Sequence, residues 1–216
     1  MQGICNCQVQ KEYYKERRKM NVAIIKYNAG NIQSVLFALE RIGCKATVTD
    51  DPESIHAADK VIFPGVGEAS TAMNYLKERK LDELIISLKQ PVLGICLGLQ
   101  LLCEYSTEND TKCLGVFDKV TVKQFEPFDK TLKVPQIGWN TIYDVKTDLF
   151  TKIQENSYCY FVHGYYANIS EYTIGTTEYV LPYSSALKKN NFYGTQFHPE
   201  KSANVGEQVL KNFLSL

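Results

Sequence analysis

No surplus of charge marks this 216-residue sequence: 24 Lys and Arg are matched by 24 Asp and Glu. A neutral chain lacks the basic footprint of a nucleic-acid-binding protein. Long hydrophobic runs are missing too. The longest largely apolar stretch, Pro91 to Leu99, is far too short to cross a bilayer. Histidine is scarce, with three residues, and no Cys-x-x-Cys pair occurs among the seven cysteines. Neither a structural zinc site nor a disulfide framework is expected from such a pattern. The first 20 residues lack the apolar core of a signal peptide, since seven of the ten residues from Lys11 to Met20 are charged. These absences suggest the reducing cytoplasm. Internal repeats, low-complexity segments and linkers are also lacking. What is present, a 44% hydrophobic share with 22% charged residues, is the composition of a globular chain long enough to bury its own core.

Organisation begins at Met20. Residues 1–19 are polar without a strand pattern and read as a loose, disordered extension, leaving 20–216 as one domain. From Asn21 the pattern alternates. Val22–Ile25 is a β-branched apolar run, so a buried strand. Ile32 to Gly43 places Ile32, Val35, Leu36 and Leu39 on one helical face and ends on glycine. Strands follow at Lys45–Thr49, Val61–Phe63 and Pro91–Cys96, with helices expected at Ser70–Lys89 and Leu97–Glu104. This order predicts an α/β fold with a mostly parallel sheet flanked by helices on both faces. After Gly115 the segments Val120–Val122, Asn140–Val145, Tyr158–Val162, Ile174–Tyr179 and Phe192–Phe197 read as added antiparallel strands. A helix from Ser202 to Leu216 carries Val205, Val209, Phe213 and Leu216 on one face.

The sharpest motif is Gly94-Ile95-Cys96-Leu97-Gly98. It joins a strand to a helix and puts a cysteine at the corner, as a nucleophile elbow does with serine. Small flanking residues let the chain turn at once, and the helix N-terminus favours a thiolate. The same pentapeptide is compatible with a small buried cysteine at a loosened strand end. A thiol nucleophile needs a base, and His198-Pro199-Glu200 supplies one. In extended chain His198 and Glu200 point to the same side, so the carboxylate can orient the imidazole. A surface histidine at a proline turn is the plainer reading of that triplet alone. His56 reads as a surface helix residue, and His163, within an aromatic strand, as a packed one. Pro64-Gly65-Val66-Gly67 follows a strand, and its glycines free backbone N–H groups for a developing oxyanion. It lacks the further residues of a phosphate loop.

Together, and in this chain order, the GICLG elbow, the PGVG loop and the HPE triplet resemble the class I (triad) glutamine amidotransferases. Pro135–Asn140 (PQIGWN), Tyr160–Tyr165 (YFVHGY) and the opening VAIIKYNAGNIQSV look like the branch of that family that serves imidazole glycerol phosphate synthase. The resemblance runs from Met20 to the end. It implies that Cys96 attacks the γ-carboxamide of L-glutamine, that His198 transfers the proton and that Glu200 orients His198. It further implies an oxyanion hole at Gly65, Val66, Gly67 and Leu97, and glutamine contacts at Gln100 and Glu108. Trp139, Tyr160 and Lys201 fall where the family meets its partner, a (β/α)8-barrel cyclase forming a heterodimer. The cyclase consumes the ammonia to make imidazole glycerol phosphate and AICAR in histidine biosynthesis. No metal or organic cofactor is implied, since thioester chemistry needs none. Three alternatives stand beside this reading: an amidotransferase serving anthranilate, GMP or carbamoyl phosphate synthesis, a stand-alone cysteine hydrolase, and a catalytically silent binding subunit.

Overall fold

The structure is a computed structural model that describes residues 20–28, 30–126 and 132–216. The extension expected at residues 1–19 lies outside the described residues. Strand β1 (Val22–Ile25) leads to helix α1 (Ile32–Arg41), β2 (Ala46–Thr49), the short α2 (Pro52–His56) and β3 (Lys60–Gly65). Helices α3 (Ala69–Glu78) and α4 (Leu81–Ser87) follow, then β4 (Val92–Cys96) and α5 (Leu97–Leu102). Strands β5 (Cys103–Ser106), β6 (Thr111–Lys112), β7 (Phe117–Gln124), β8 (Gln136–Ile142), β9 (Ser157–His163) and β10 (Tyr165–Ala167) come next. The chain closes with β11 (Thr173–Glu178), β12 (Pro182–Lys189), β13 (Phe192–Thr195) and helix α6 (Ala203–Ser215).

The large sheet runs β2-β1-β3-β4-β13-β12-β10-β7-β5-β6, with β11 paired to β12. Its β2-to-β13 half is parallel, and the β13–β12, β12–β10 and β10–β7 pairs are antiparallel. β8 and β9 form a separate antiparallel hairpin. The period of two along each strand divides the core. Ala23, Val61 and Phe63 join α3, α4 and α5 through Met73, Leu76, Ile85 and Leu102 on one face. Val22, Ile24 and Ile62 join α1 and α6 through Val35, Leu39, Val209 and Phe213 on the other. Strands covered on both faces read as continuous apolar runs, which is why β1 and β4 are plain in the sequence.

Several boundaries differ from expectation. The helix expected at Ser70–Lys89 is two helices, broken where Lys80 takes a left-handed φ of 56°. The helix from Leu97 stops at Leu102, because Cys103–Ser106 pairs with β7 and β6. The strand placed at Asn140–Val145 begins at Gln136 and ends at Ile142. β12 carries no strand signature of its own. Its buried stretch Tyr183-Ser184-Ser185-Ala186-Leu187 is half polar, and only its three neighbouring strands make it a strand. Among the described residues, no helix is long and apolar enough to cross a membrane.

Candidate active site

β4 passes into α5 with no intervening loop. Cys96 sits at the junction with φ 54° and ψ −108°, a conformation that costs a side-chain-bearing residue about 1–3 kcal/mol. Close packing of the helix against the sheet holds it there. A Cβ on Gly98 would lie 1.9 Å from the Phe63 carbonyl oxygen, so no other residue lets α5 approach β3 so nearly. The thiol is mostly buried and meets the Val162 carbonyl oxygen at 3.8 Å.

His198 and Glu200 are buried together, with Nδ1 and Oε1 2.7 Å apart. They meet through a 3-10 turn at Pro199–Lys201 rather than through extended chain. Ser202 caps that turn, its hydroxyl donating to the His198 carbonyl oxygen at 2.7 Å. Burial by itself lowers the affinity of His198 for a proton. Hydrogen bonds to Cys96 and Glu200, and the charges of both, outweigh it and lift the ring to about 10. A ring protonated at neutral pH is the electrostatic partner a thiolate nucleophile requires. Asn31 was not anticipated. It stands before α1 with φ 71°, a left-handed position that asparagine tolerates. Its Nδ2 donates to Glu200 Oε1 and lies 3.5 Å from His198 Nδ1.

A cavity of about 320 Å³ opens over the thiol at the carboxyl ends of β3 and β4, where open parallel sheets place their ligands. Val66, Gly67, Leu97, Gln100, Glu108, His198 and Lys201 all line it. Of the expected oxyanion residues, only Gly65 is not on the wall; it pairs with Cys96 at the end of β3. Leu97 begins α5, so its N–H belongs to the group of helix-start donors without an intrahelical acceptor. Glu108 Oε2 accepts the Ala69 N–H at the start of α3 at 2.8 Å, and burial raises its carboxyl above the usual range. Gln100 is buried and donates from Nε2 to the Tyr165 carbonyl oxygen and to Gln196 Oε1, each at 3.0 Å.

The family model for class-I glutamine amidotransferases matches residues 23–216. The chain belongs to that family. It is 57% identical over 197 residues to the imidazole glycerol phosphate synthase subunit HisH of Bacteroides fragilis, a match covering 91% of this chain and 100% of that protein. The subunit HisH of Bacteroides thetaiotaomicron is 55% identical over the same shares, and that of Idiomarina loihiensis is 45% identical over 91% of this chain and 98% of its own. A solved glutamine amidotransferase superposes with a TM-score of 0.68 at 17% identity, covering 90% and 97% of the two chains. PurLQS from Thermotoga maritima gives 0.65 at 17% identity, covering 91% and 98%. At such identities these two likenesses concern the fold.

Outside the cavity, the amidotransferase hairpin β8–β9 turns an apolar face to solvent. Ile137, Trp139 and Tyr158 are 64%, 52% and 60% exposed. Trp139 pairs across the hairpin with Tyr160, ring centroids 5.8 Å apart, and Lys201 Nζ lies 5.9 Å from the Tyr160 ring. The three residues expected to meet a partner are thus contiguous, and Lys201 joins them to the cavity. Ile137 and Tyr158 extend the patch; the alternation within QIGWNTI puts Ile137 on the Trp139 side.

His163 is packed as expected, but it also forms cavity wall. Its Nδ1 meets the Tyr165 carbonyl oxygen at 2.7 Å and its Nε2 the Tyr183 hydroxyl at 3.2 Å. Burial depresses its pKa from 6.5 to about 4, helped by His198 and opposed by the Tyr165 bond. A depressed base means the unfolded chain binds the proton first, so this contribution is present above pH 6.5 and is lost as pH falls toward 4. Its loss is expected to cost roughly 2–4 kcal/mol across that window. Urea titrations at pH 7 and pH 4.5 check this: a His163→Asn protein should lose less stability on acidification than the parent, and an equal loss in both would refute the assignment.

Proposed function

We infer that this chain is the glutaminase subunit of imidazole glycerol phosphate synthase. It hydrolyses L-glutamine to glutamate and ammonia and passes the ammonia to a (β/α)8-barrel cyclase, with which it forms a heterodimer. The observation that carries the reading is the intact Cys96–His198–Glu200 arrangement in a chain that aligns with HisH subunits over their full length. Residues 20–216 are the amidotransferase domain in this reading, and the cytoplasm is its compartment.

The chemistry follows from the site. Cys96 Sγ attacks the carboxamide carbon of glutamine, and the new oxyanion takes hydrogen bonds from the Val66 and Leu97 N–H groups. His198 gives its proton to the departing nitrogen; the C–N bond breaks, leaving ammonia and a thioester. Water then attacks the thioester while His198 accepts its proton, and glutamate leaves as sulfur recovers its electron pair. Glu200, held by Asn31, keeps the imidazole in the right tautomer throughout. Glu108 receives the α-ammonium group of glutamine, and Gln100 offers Oε1, its Nε2 being engaged within the protein.

Glu108→Gln is expected to raise KM about 10–100-fold while kcat changes by only a few-fold, because a hydrogen bond to a charged group is worth roughly 1.5–3 kcal/mol. Initial rates over a range of glutamine concentrations check this, and an unchanged KM would remove Glu108 from the binding site. The reading as a whole is tested by glutamate release with and without a barrel cyclase. Dependence on the cyclase supports it. Full activity alone favours the stand-alone hydrolase, and no activity in either mixture favours a silent binding subunit.

A further inference from the structure

The thiol of Cys96 has a neighbour that the triad does not include. Gln196 follows β13, two residues before His198, and is fully buried. Its Nε2 lies 3.6 Å from Cys96 Sγ. An amide can turn either its NH2 or its oxygen to a sulfur, with opposite consequences. The NH2 supports a thiolate, whereas the oxygen supports only a thiol. The surrounding hydrogen bonds decide between them. The Tyr165 carbonyl oxygen only accepts, so Gln100, 3.0 Å away, must face it with Nε2. The second hydrogen of that nitrogen meets Gln196 Oε1 at 3.0 Å. The oxygen of Gln196 is therefore committed to Gln100, and its NH2 faces the nucleophile. One backbone carbonyl orients two side-chain amides in series.

We propose that Gln196 is a further catalytic residue, whose side-chain N–H donates a hydrogen bond to the Cys96 thiolate while Gln100 holds the amide in that orientation. The proposal rests on the glutaminase reading for the nucleophilic role of Cys96. Water reaches this sulfur poorly, so a charge there needs donors from the protein. His198 supplies one from the base side, and Gln196 supplies the other. The bond acts at two points of the cycle. It increases the thiolate fraction before attack. In deacylation, when the C–S bond breaks and its electron pair returns to sulfur, the same N–H meets the charge that reappears. Gln100 lines the cavity, so a contact with substrate is transmitted to the nucleophile through one intervening amide.

Two substitutions test this in the complete protein. Gln196→Met keeps the length of the side chain and removes the donor; Gln196→Glu keeps the shape and replaces the donor with a carboxylate. The primary readout is the pH profile of Cys96 alkylation by iodoacetamide, which involves no glutamine. The midpoint is expected to rise by about one pH unit in Gln196→Met and further in Gln196→Glu, from the usual strength of a hydrogen bond to a charge. In glutaminase assays kcat should fall about tenfold with KM within about twofold. A Gln196→Met protein with the parent alkylation profile, or a loss confined to KM, would overturn the assignment. Should both variants fail to fold, the unmodified protein still decides. The Gln196 side-chain N–H resonances should titrate with Cys96 and should differ between the parent and Cys96→Ala; resonances that do neither overturn it. Failure of the glutaminase reading has a separate signature, hydrolysis of glutamine that survives Cys96→Ala.

Discussion

Replacing Cys96 with alanine is expected to reduce glutamine hydrolysis by at least about 10⁴-fold, since removing the nucleophile of a hydrolytic triad leaves only binding and the oxyanion hole. The elbow is where this effect originates. The φ of 54° at Cys96 projects the thiol into the cavity, and no other described cysteine lines it. Cys103, Cys113 and Cys159 are buried in the core, and burial pushes their thiols up, Cys113 and Cys159 to about 12. None of them is a substitute nucleophile. Synthesis driven by added ammonium salts should survive in the Cys96→Ala complex, because external ammonia bypasses the triad. Two assays on one preparation therefore check the prediction: glutamate formation from glutamine, and product formation from ammonium. Glutamate release at the parent rate would remove Cys96 from the mechanism. Loss of both activities would instead place the defect in assembly.

The isolated chain is expected to hydrolyse glutamine slowly and to accelerate about 10²–10³-fold when the cyclase binds with its nucleotide ligand, the range associated with one oxyanion donor. Unused ammonia would be protonated and lost to water, so coupling requires a glutaminase held back until the acceptor site is filled. The oxyanion loop has the mechanical means. Tyr27 donates to the Pro64 carbonyl oxygen at 2.7 Å, and a Cβ on Gly65 would sit 2.2 Å from that hydroxyl, which anchors the end of β3. One step further the restraint disappears. Val66 is exposed and Gly67 takes φ 112° with nothing near its Cβ direction, so the Gly65–Val66 peptide, which carries the donor N–H, can turn over at small steric cost. The exposed apolar hairpin also reaches the triad directly, because the His198 N–H donates to the Tyr160 carbonyl oxygen at 2.9 Å. Adding cyclase should change the fluorescence of Trp139, the single tryptophan of the chain. Trp139→Ala should weaken cyclase binding about 30-fold or more, as loss of an interface hot spot does, with little change in melting temperature because the ring is half exposed. Full glutaminase activity without the cyclase, and no response to it, would refute this gating.

The parts of the fold legible in the sequence are those whose burial is two-sided and local. β1 and β4 appear as apolar runs, and α1 and α6 carry their buried residues at helical spacing. The break between α3 and α4 was not legible, since Arg79-Lys80 continues a plausible helical pattern and only the left-handed turn at Lys80 interrupts it. β12 was hidden for a related reason. Ser184 and Ser185 do not look like strand core, yet Ser184 is buried and satisfied by bonds to Asn168 and Thr173. A polar residue reads as interior only once its partners are known.

The candidate site divides in the same way. The elbow and the base were legible in the sequence as candidates, because each is a contiguous piece of chain: small residues flank Cys96, and Glu200 lies two residues from His198, although the 3-10 turn that joins that pair came only from the structure. The tertiary structure alone decided which side chains complete them. Asn31 reaches Glu200 across 169 residues of chain, and Gln196 reaches Cys96 across 100. Neither carries a local pattern. An asparagine before a helix is an ordinary cap residue, and Gln196 sits unmarked inside the strand expected at Phe192–Phe197. They meet the site where the parallel strands bring their carboxyl ends together, and there a buried sulfur and a buried carboxylate require polar partners that only distant segments can supply.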